Sequence, residues 1–320
     1  MKLNLFNLKQ NKYCFAFYNI ENLFDIYNED LKHDSDFIDT SEKRWTLKRY
    51  KNKITKISFA LSQIGLKETK MHPAIVGLAE VENQSVLKDL TTHKNLKNCN
   101  YNFVHFDSKD ERGIDVAFLY DTKVFTVLES KVHSIVFKKD NGNLDYTRDI
   151  LHIYGSFLDE KLDIIVNHWP SRRDGTNETA KKRMIASNKV TEIITNIRTK
   201  NENAKIIVMG DFNDDPSSNS IKSLIDNNNL YNTMDTLLSI NRGTTIYRGD
   251  WNLFDQIICS VNCFNRKSKK LRFDKANIFD VDFLKQQDGN YKGAPYRTYI
   301  GKQYKGGYSD HFPVYTIFKK

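Results

Sequence analysis

Cysteine is scarce: Cys14, Cys99, Cys259 and Cys263 are the four in 320 residues. They form no CxxC pair and no Cys/His cluster at zinc spacing, which argues against redox chemistry and a structural zinc. Long apolar runs are missing too. With a mean hydropathy of −0.59 and runs as short as Ile206 to Met209, no segment approaches the length that crosses a bilayer. Lys2 and Lys9 flank Leu3, Leu5, Phe6 and Leu8 at the start, but no continuous apolar stretch or small-residue cleavage site follows. The expectation is an unprocessed, cytoplasmic chain. Five prolines and fourteen glycines are spread without a Pro/Gly/Ser-rich linker, and nothing repeats at a fixed period. One domain over residues 1–320, with a short N-terminal extension over 1–12, is the simplest organisation.

What is present is apolar residue and positive charge. At 39% hydrophobic and 12% aromatic, the chain buries a large core without staples, which excludes disorder. Lys plus Arg number 49 against 40 Asp plus Glu, a net charge of +9 that favours phosphate-bearing partners. Short β-branched and aromatic runs at Tyr13–Tyr18, Ala74–Ala79, Ile114–Tyr120, Leu162–Val166, Lys205–Met209, Phe254–Cys259 and Val314–Phe318 predict strands. Leu47, Tyr50, Ile54, Ile57, Leu61 and Ile64 form a helical stripe ending at Gly65, with Lys48, Arg49, Lys51, Lys53 and Lys56 assigned to the opposite face. Further helices are expected over Glu178–Arg198 and Ser217–Asn227, which makes the pattern α/β or α+β. The segment 264–308, rich in Tyr, Lys and Arg, has weak periodicity and reads as long surface loops.

Polar residues collect at the strand exits. Ile206–Met209 leads into Gly210-Asp211-Phe212-Asn213-Asp214-Asp215-Pro216, which in isolation is an ordinary Asp/Asn/Pro turn. The same arrangement recurs at Asn19-Ile20-Glu21-Asn22, at Glu80, at Asn167-His168 and at Ser309-Asp310-His311, and five such exits indicate one site. These groups suit metal-assisted hydrolysis of a phosphate ester. Glu80, Asp310 and the Asn19 carbonyl oxygen are suitable donors for Mg²⁺, with Mn²⁺ or Ca²⁺ as substitutes. Asp211 is the candidate base for an attacking water and Asn213, two residues on, its geometric partner. His311 needs a carboxylate other than its neighbour, and Asp255 is the choice.

Taken together, Tyr18-Asn19-Ile20-Glu21-Asn22-Leu23-Phe24, Leu78-Ala79-Glu80-Val81, Asn167-His168-Trp169-Pro170-Ser171-Arg172, Gly210-Asp211-Phe212-Asn213, Phe254-Asp255-Gln256-Ile257 and Ser309-Asp310-His311 resemble the ordered motifs of the endonuclease/exonuclease/phosphatase superfamily. The resemblance spans roughly Tyr13 to Phe318. It implies a four-layer α/β sandwich, two mixed β-sheets packed face to face with helices outside, and a Mg²⁺-dependent phosphodiesterase or phosphatase. It makes Glu80 the principal metal ligand, with Asn19 beside it and Asp310 at or near the ion; Glu82 competes for that role. It gives Asp211 and Asn213 the water, His311 with Asp255 the phosphate, and His168 the leaving oxygen as general acid. Asp115 becomes a carboxylate partner for His168, Arg148 a phosphate-binding arginine, and Arg172 a second anion contact.

Substrate choice rests on charge. The basic clusters Lys43–Lys56, Arg172–Arg183 and Arg266–Lys275, with the tyrosines of 291–308 as stacking platforms, favour nucleic acid, DNA first, cut endonucleolytically with little sequence preference. The alternative is a phosphodiesterase or phosphatase on lipid head groups, inositol phosphates or small phosphorylated metabolites. No apolar hairpin for entering a membrane interface is evident. A non-catalytic binding protein is disfavoured because the acidic and histidine positions are all filled.

Overall fold

The structure is a computed structural model that describes residues 11–27, 35–138, 142–172, 175–265 and 270–320. The N-terminal extension through residue 10, and Arg173, Arg266, Lys267 and Lys269 of the expected basic clusters, lie outside the described residues. Twelve strands build two six-stranded sheets. The first runs β15 (Arg272–Ile278), β18 (Val314–Lys319), β1 (Lys12–Leu23), β2 (Ile75–Val81), β4 (Asp115–Asp121), β3 (Tyr101–His105). The second runs β11 (Leu230–Asn232), β14 (Asp255–Ser260), β10 (Ile206–Asp211), β9 (Glu160–His168), β8 (Ile150–Phe157), β5 (Phe125–His133). Three ribbons accompany them: β6/β7 (Val136–Lys138, Leu144–Tyr146), β12/β13 (Thr245–Tyr247, Asp250–Asn252) and β16/β17 (Tyr299–Ile300, Gln303–Tyr304).

Each sheet is antiparallel except at its centre, where β1 lies parallel to β2 and β9 parallel to β10. Period-two alternation sorts the side chains of the second sheet between two cores. Ile164, Val166, Ile207, Met209 and Ile257 face inward and pack with Phe15, Phe17 and Phe118 of the first sheet. Their neighbours Ile165, Val208 and Ile258 face outward onto Val190 and Ile194 of α4 (Thr176–Lys200) and Ile221 and Leu224 of α5 (Asn219–Asn227). On the other side, α1 (Leu47–Gln63) and α3 (Gln84–Thr92) cover the first sheet with Ile57, Leu61, Val86 and Leu90. The chain is thus the four-layer α/β sandwich expected of it, a shape in which strands buried on both faces read as continuous apolar runs.

The stripe helix ends where the spacing places its end. Ile64 is its C-cap and Gly65 follows with φ +68°; a Cβ at Gly65 would stand 2.5 Å from Cys14 Sγ. A four-residue helix, α2 (Leu66–Thr69), continues from that turn. Among the described residues no helix is long and apolar enough to cross a membrane.

The 264–308 segment departs from expectation. Arg272–Ile278 is a full strand that pairs antiparallel with β18, its Phe273 ring packing on Phe318 and Phe264. Its residues are only partly buried on either side, so the sequence shows no clean alternation. The tyrosines beyond it fasten the segment to α1: Arg49 lies over the Tyr304 ring at 4.4 Å, and Lys56 lies 4.9 Å from both Tyr296 and Tyr308. These three rings serve packing, and Arg49, Lys53 and Lys56 of the basic cluster turn towards the segment that carries them, Lys53 through the Tyr308 carbonyl.

Candidate active site

The C-terminal ends of the two parallel strand pairs meet, and backbone irregularities there aim the side chains. β1 does not stop at Tyr18 but runs on to Leu23, with its register against β2 shifting between Asn19 and Leu23. The β2–β4 register shifts between Ala79 and Val81, at Glu80. Four non-glycine residues at the site have left-handed φ: +50° at Glu21, Asn22 and Asn213, and +66° at Glu80. Such conformations cost about 1–3 kcal/mol each and break strand alternation to redirect side chains. Asn213 therefore does not share a face with Asp211 by simple alternation; its left-handed turn sets its direction. Gly210 lets β10 approach β9 just before Asp211, since a Cβ there would lie 2.5 Å from the Asn167 carbonyl oxygen.

Asp211 is the hub. It is buried, its Oδ2 accepts from Asn19 Nδ2 at 3.0 Å and its Oδ1 from the Asn213 amide at 2.9 Å. Both histidines approach the same oxygen, His168 Nε2 at 3.7 Å and His311 Nε2 at 3.9 Å. His311 Nδ1 pairs with Asp255 Oδ2 at 2.7 Å across the β14–β18 junction, as the sequence predicted. Burial opposes a charge on His311, but Asp255 and Asp211 outweigh it and hold the imidazole well above its ordinary range. Burial chiefly, and then Asp255, push Asp211 up to about 6, against the pull of His311 and the Asn19 and Asn213 hydrogen bonds.

Glu80 faces Asp211 from the first sheet. Its Oε2 accepts from the Asn22 amide at 2.8 Å, and its Oε1 lies 3.4 Å from Asn19 Nδ2 and 3.9 Å from both His168 Nε2 and Arg112 Nη2. Glu82, its sequence rival, is buried and turned away to the Asp25 amide. Asn19 turns its nitrogen to the two carboxylates while its side-chain oxygen takes the Glu21 amide at 3.0 Å. Asp310 is bound by Arg297 Nη2 at 2.8 Å. Burial works to raise it, yet His311, Arg297 and Lys53 keep it below the usual carboxylate range. Glu80 and Asp310 offer oxygen donors that suit a hard divalent cation, whereas Asn19 presents its nitrogen to the acidic centre and its two oxygens to the Glu21 amide and Ser309 Oγ, and would serve as an oxygen ligand only with its amide turned over.

Three expected contacts are placed elsewhere. Asp115 takes the Ser108 amide on Oδ2 at 3.2 Å and lies 3.9 Å from His105, because the β3–β4 connection folds back over it; the carboxylates near His168 are Asp211 and Glu80. Arg148 is buried and spent on Asp110 at 3.2 Å and the Trp169 carbonyl at 2.8 Å. Arg172 ties down the loop after β10, donating to the Asn213 carbonyl at 2.9 Å and to Asp214 at 3.0 Å. Arg183, from the same basic cluster, reaches the same Asp214 Oδ1 at 2.8 Å. These arginines brace the loops around the site.

Other residues escaped the sequence reading. Glu21 is buried beneath the site, bonded by the Thr298 amide at 2.6 Å and approached by Arg297 at 3.6 Å and Lys53 at 3.9 Å. Burial chiefly, with Asp310, lifts Glu21 to about 7, and burial lowers Lys53 to about 8. Lys53 was assigned to the solvent face of α1, yet it lies three residues after Tyr50 and four before Ile57, on the buried stripe itself. That spacing was the available signal. Arg112 and Arg297 supply the cations beside the acidic centre, Arg112 also donating to Asn22 Oδ1 at 3.1 Å.

Comparison with known proteins places this geometry in context. The sequence profile of the Endonuclease/Exonuclease/phosphatase family matches residues 14–320. No curated protein matches the chain. Among solved structures, an endonuclease/exonuclease/phosphatase family protein from Bacteroides thetaiotaomicron aligns with a TM-score of 0.59 at 17% identity, covering 97% of this chain and 96% of that one. A mannosyl-6-phosphatase from the same organism aligns at 0.58 and 16%, covering 96% and 99%. D. rerio TDP2 complexed with a single-strand DNA product aligns at 0.55 and 15%, covering 97% and 99%. At these identities the likeness is one of fold.

Proposed function

Because the chain belongs to the endonuclease/exonuclease/phosphatase family, whose members are metal-dependent phosphoesterases, we propose that it hydrolyses phosphodiester bonds in nucleic acid, DNA first, as an endonuclease with little sequence preference. The observation that carries the reading is the convergence of His168 and His311 on Asp211, with Glu80 reaching the same His168 and Asn19 groups. A buried carboxylate lifted to about 6 is a base that can take a proton from water near neutral pH. Asn19 and the Asn213 amide hold its two oxygens in place. His311, kept cationic by Asp255, is suited to bind and neutralise the phosphate. His168, between Asp211 and Glu80, is positioned to give a proton to the leaving oxygen. Glu80 and Asp310, and Asn19 with its amide turned over, would hold Mg²⁺, with Mn²⁺ or Ca²⁺ as substitutes, and the ion when bound supplies charge neutralisation at the phosphate.

Net charge of +9 and the cations Arg112 and Arg297 flanking the centre support a polyanionic substrate. The β12/β13 ribbon adds an exposed Tyr247, with Arg248 5.3 Å from its ring. Arg248 (φ +52°) and Gly249 (φ +97°) have the left-handed pair of a tight hairpin turn, and the Thr244 carbonyl at its root takes the Phe312 amide at 2.7 Å. A second reading, hydrolysis of small phosphorylated metabolites, is favoured by one feature. A cavity of about 200 Å³ beside the site, lined by Glu21, Asn22, Lys43 and Arg297, has room for one sugar.

The test offers supercoiled plasmid, single-stranded RNA, sugar phosphates and bis-p-nitrophenyl phosphate at low salt, with and without Mg²⁺. Metal-dependent nicking of plasmid supports the nuclease reading; cleavage of sugar phosphates with silence on every nucleic acid overturns it in favour of the second. His168→Ala is expected to slow plasmid cleavage by about 10²-fold or more and the aryl diester far less, since a good leaving group needs no proton. Equal losses on both would remove His168 from that role. With the small diester, kcat/KM is expected to rise with pH to a plateau, its midpoint at about 6, the value set for Asp211. The midpoint moves lower as Mg²⁺ is raised, because a cation favours the ionised carboxylate. A profile flat from pH 5 to 8 would count against Asp211 as the base.

A further inference from the structure

The β3–β4 hairpin carries ligating side chains that the proposed reaction does not use. His105 closes β3, Asp115 opens β4 and Asp107 lies in the connection, and one ligand atom from each lies within 4.8 Å of the other two. His105 and Asp115 are 4% and 3% exposed, while Asp107 faces solvent. A buried imidazole beside a buried carboxylate ordinarily closes to a hydrogen bond, yet His105 Nε2 and Asp115 Oδ2 stand 3.9 Å apart. Asp115 Oδ2 takes the Ser108 amide, and Oδ1, equally buried, has no hydrogen-bond partner among the described residues. A buried acceptor left without a donor is costly, so this oxygen calls for a partner that the described residues do not supply.

We propose that His105, Asp107 and Asp115 bind a first-row divalent transition ion, Zn²⁺ foremost, at the root of the hairpin. Two ligand atoms bonded to one ion at about 2.0–2.2 Å stand at most roughly 4.4 Å apart. The 3.9 Å between His105 Nε2 and Asp115 Oδ2 lies within that reach, so an ion beside the imidazole is also within reach of the Asp115 carboxylate whose Oδ1 has no partner among the described residues. The imidazole nitrogen selects against Mg²⁺ and Ca²⁺, which prefer oxygen alone and suit the donors at Glu80. Cys/His spacing in the sequence could not reveal such a site, since two of its ligands are carboxylates that meet only when the hairpin closes. Asp107 provides the entry side, and water completes the coordination. The ion fastens the loop whose Arg112 reaches Asn22 at 3.1 Å and whose Asp110 holds Arg148 at 3.2 Å, so its role is structural and lies outside the hydrolytic centre.

The test titrates metal-stripped, full-length protein with Zn²⁺ by calorimetry and with Co²⁺ by ligand-field absorption, in the absence of Mg²⁺. Wild type and Glu80→Gln are both expected to bind one equivalent at this site, and Asp107→Asn and His105→Gln to bind it about tenfold or more weakly. Asp107 is exposed, so its variant keeps the test valid if His105→Gln fails to fold. The Co²⁺ bands of wild type are expected to weaken in both hairpin variants. Binding that survives Asp107→Asn unchanged, or that disappears in Glu80→Gln, would assign the ion to the hydrolytic centre and overturn the proposal.

Discussion

Asp211→Asn is expected to lower kcat by about 10³-fold on every substrate the enzyme accepts, while the protein melts within a few degrees of wild type. The substitution keeps side-chain size and leaves an oxygen for the Asn213 amide at 2.9 Å, but it removes the buried carboxylate that Asn19, His168 and His311 all approach. An amide takes no proton from water at neutral pH. Stability should change little, because burial already disfavours the charge being removed. Circular dichroism melts and single-turnover rates separate the two effects. A variant retaining a tenth of wild-type turnover would dismiss Asp211 as the base.

Lys53→Met is expected to cost on the order of 3 kcal/mol of folding stability, read from denaturant midpoints. The Lys53 ammonium is 1% exposed and serves Thr298 Oγ1 at 2.5 Å, the Tyr308 carbonyl at 2.6 Å and Glu21 at 3.9 Å. Its removal leaves Glu21 buried with only the Thr298 amide and Arg297 to balance it. The double variant Lys53→Met/Glu21→Gln should recover part of the loss, since the uncompensated charge is then gone. A cost below about 1 kcal/mol, or no recovery in the double variant, would show that the pair is not coupled in this way. Because Thr298 and Tyr308 belong to the segment before Asp310, the single variant should also loosen that loop and raise KM for Mg²⁺.

Features set by short-range interactions are legible in the sequence, and those set by long-range ones are not. Period-two runs and the stripe from Leu47 to Ile64 were legible because local geometry repeats within a few residues, although Leu47 itself, in the first turn of the helix, is exposed. The strand exits were legible as well, since Asp211, Glu80, His168 and His311 sit beside apolar runs that announce themselves. The His311–Asp255 pair came through because the motif order carries it. The arginines did not: Arg148, Arg172 and Arg183 carry the charge of phosphate ligands, and nothing in their neighbourhoods tells that Asp110 and Asp214 claim them. For Lys53 two local signals conflict, since its cation favours solvent while its spacing from Tyr50 and Ile57 sets it on the stripe. Strand β15 stayed hidden because both its faces are half covered.

By itself, then, the amino-acid order determined an alternating pattern of strands and helices, the strand exits at which the site lies, and the acidic and histidine groups that make hydrolysis of a phosphate ester the chemistry to expect, while the four layers were implied by the family resemblance. These depend on side-chain period and on which residues follow each strand, both local properties of the chain. Only the tertiary structure decided how those groups pair: Asp211 to Asn19 across 192 residues, Thr298 to Glu21 across 277, and Asp115 to the hairpin in place of His168. A carboxylate's partner is whichever donor the packed backbone brings within about 3 Å, and that depends on how two sheets and their loops close on one another.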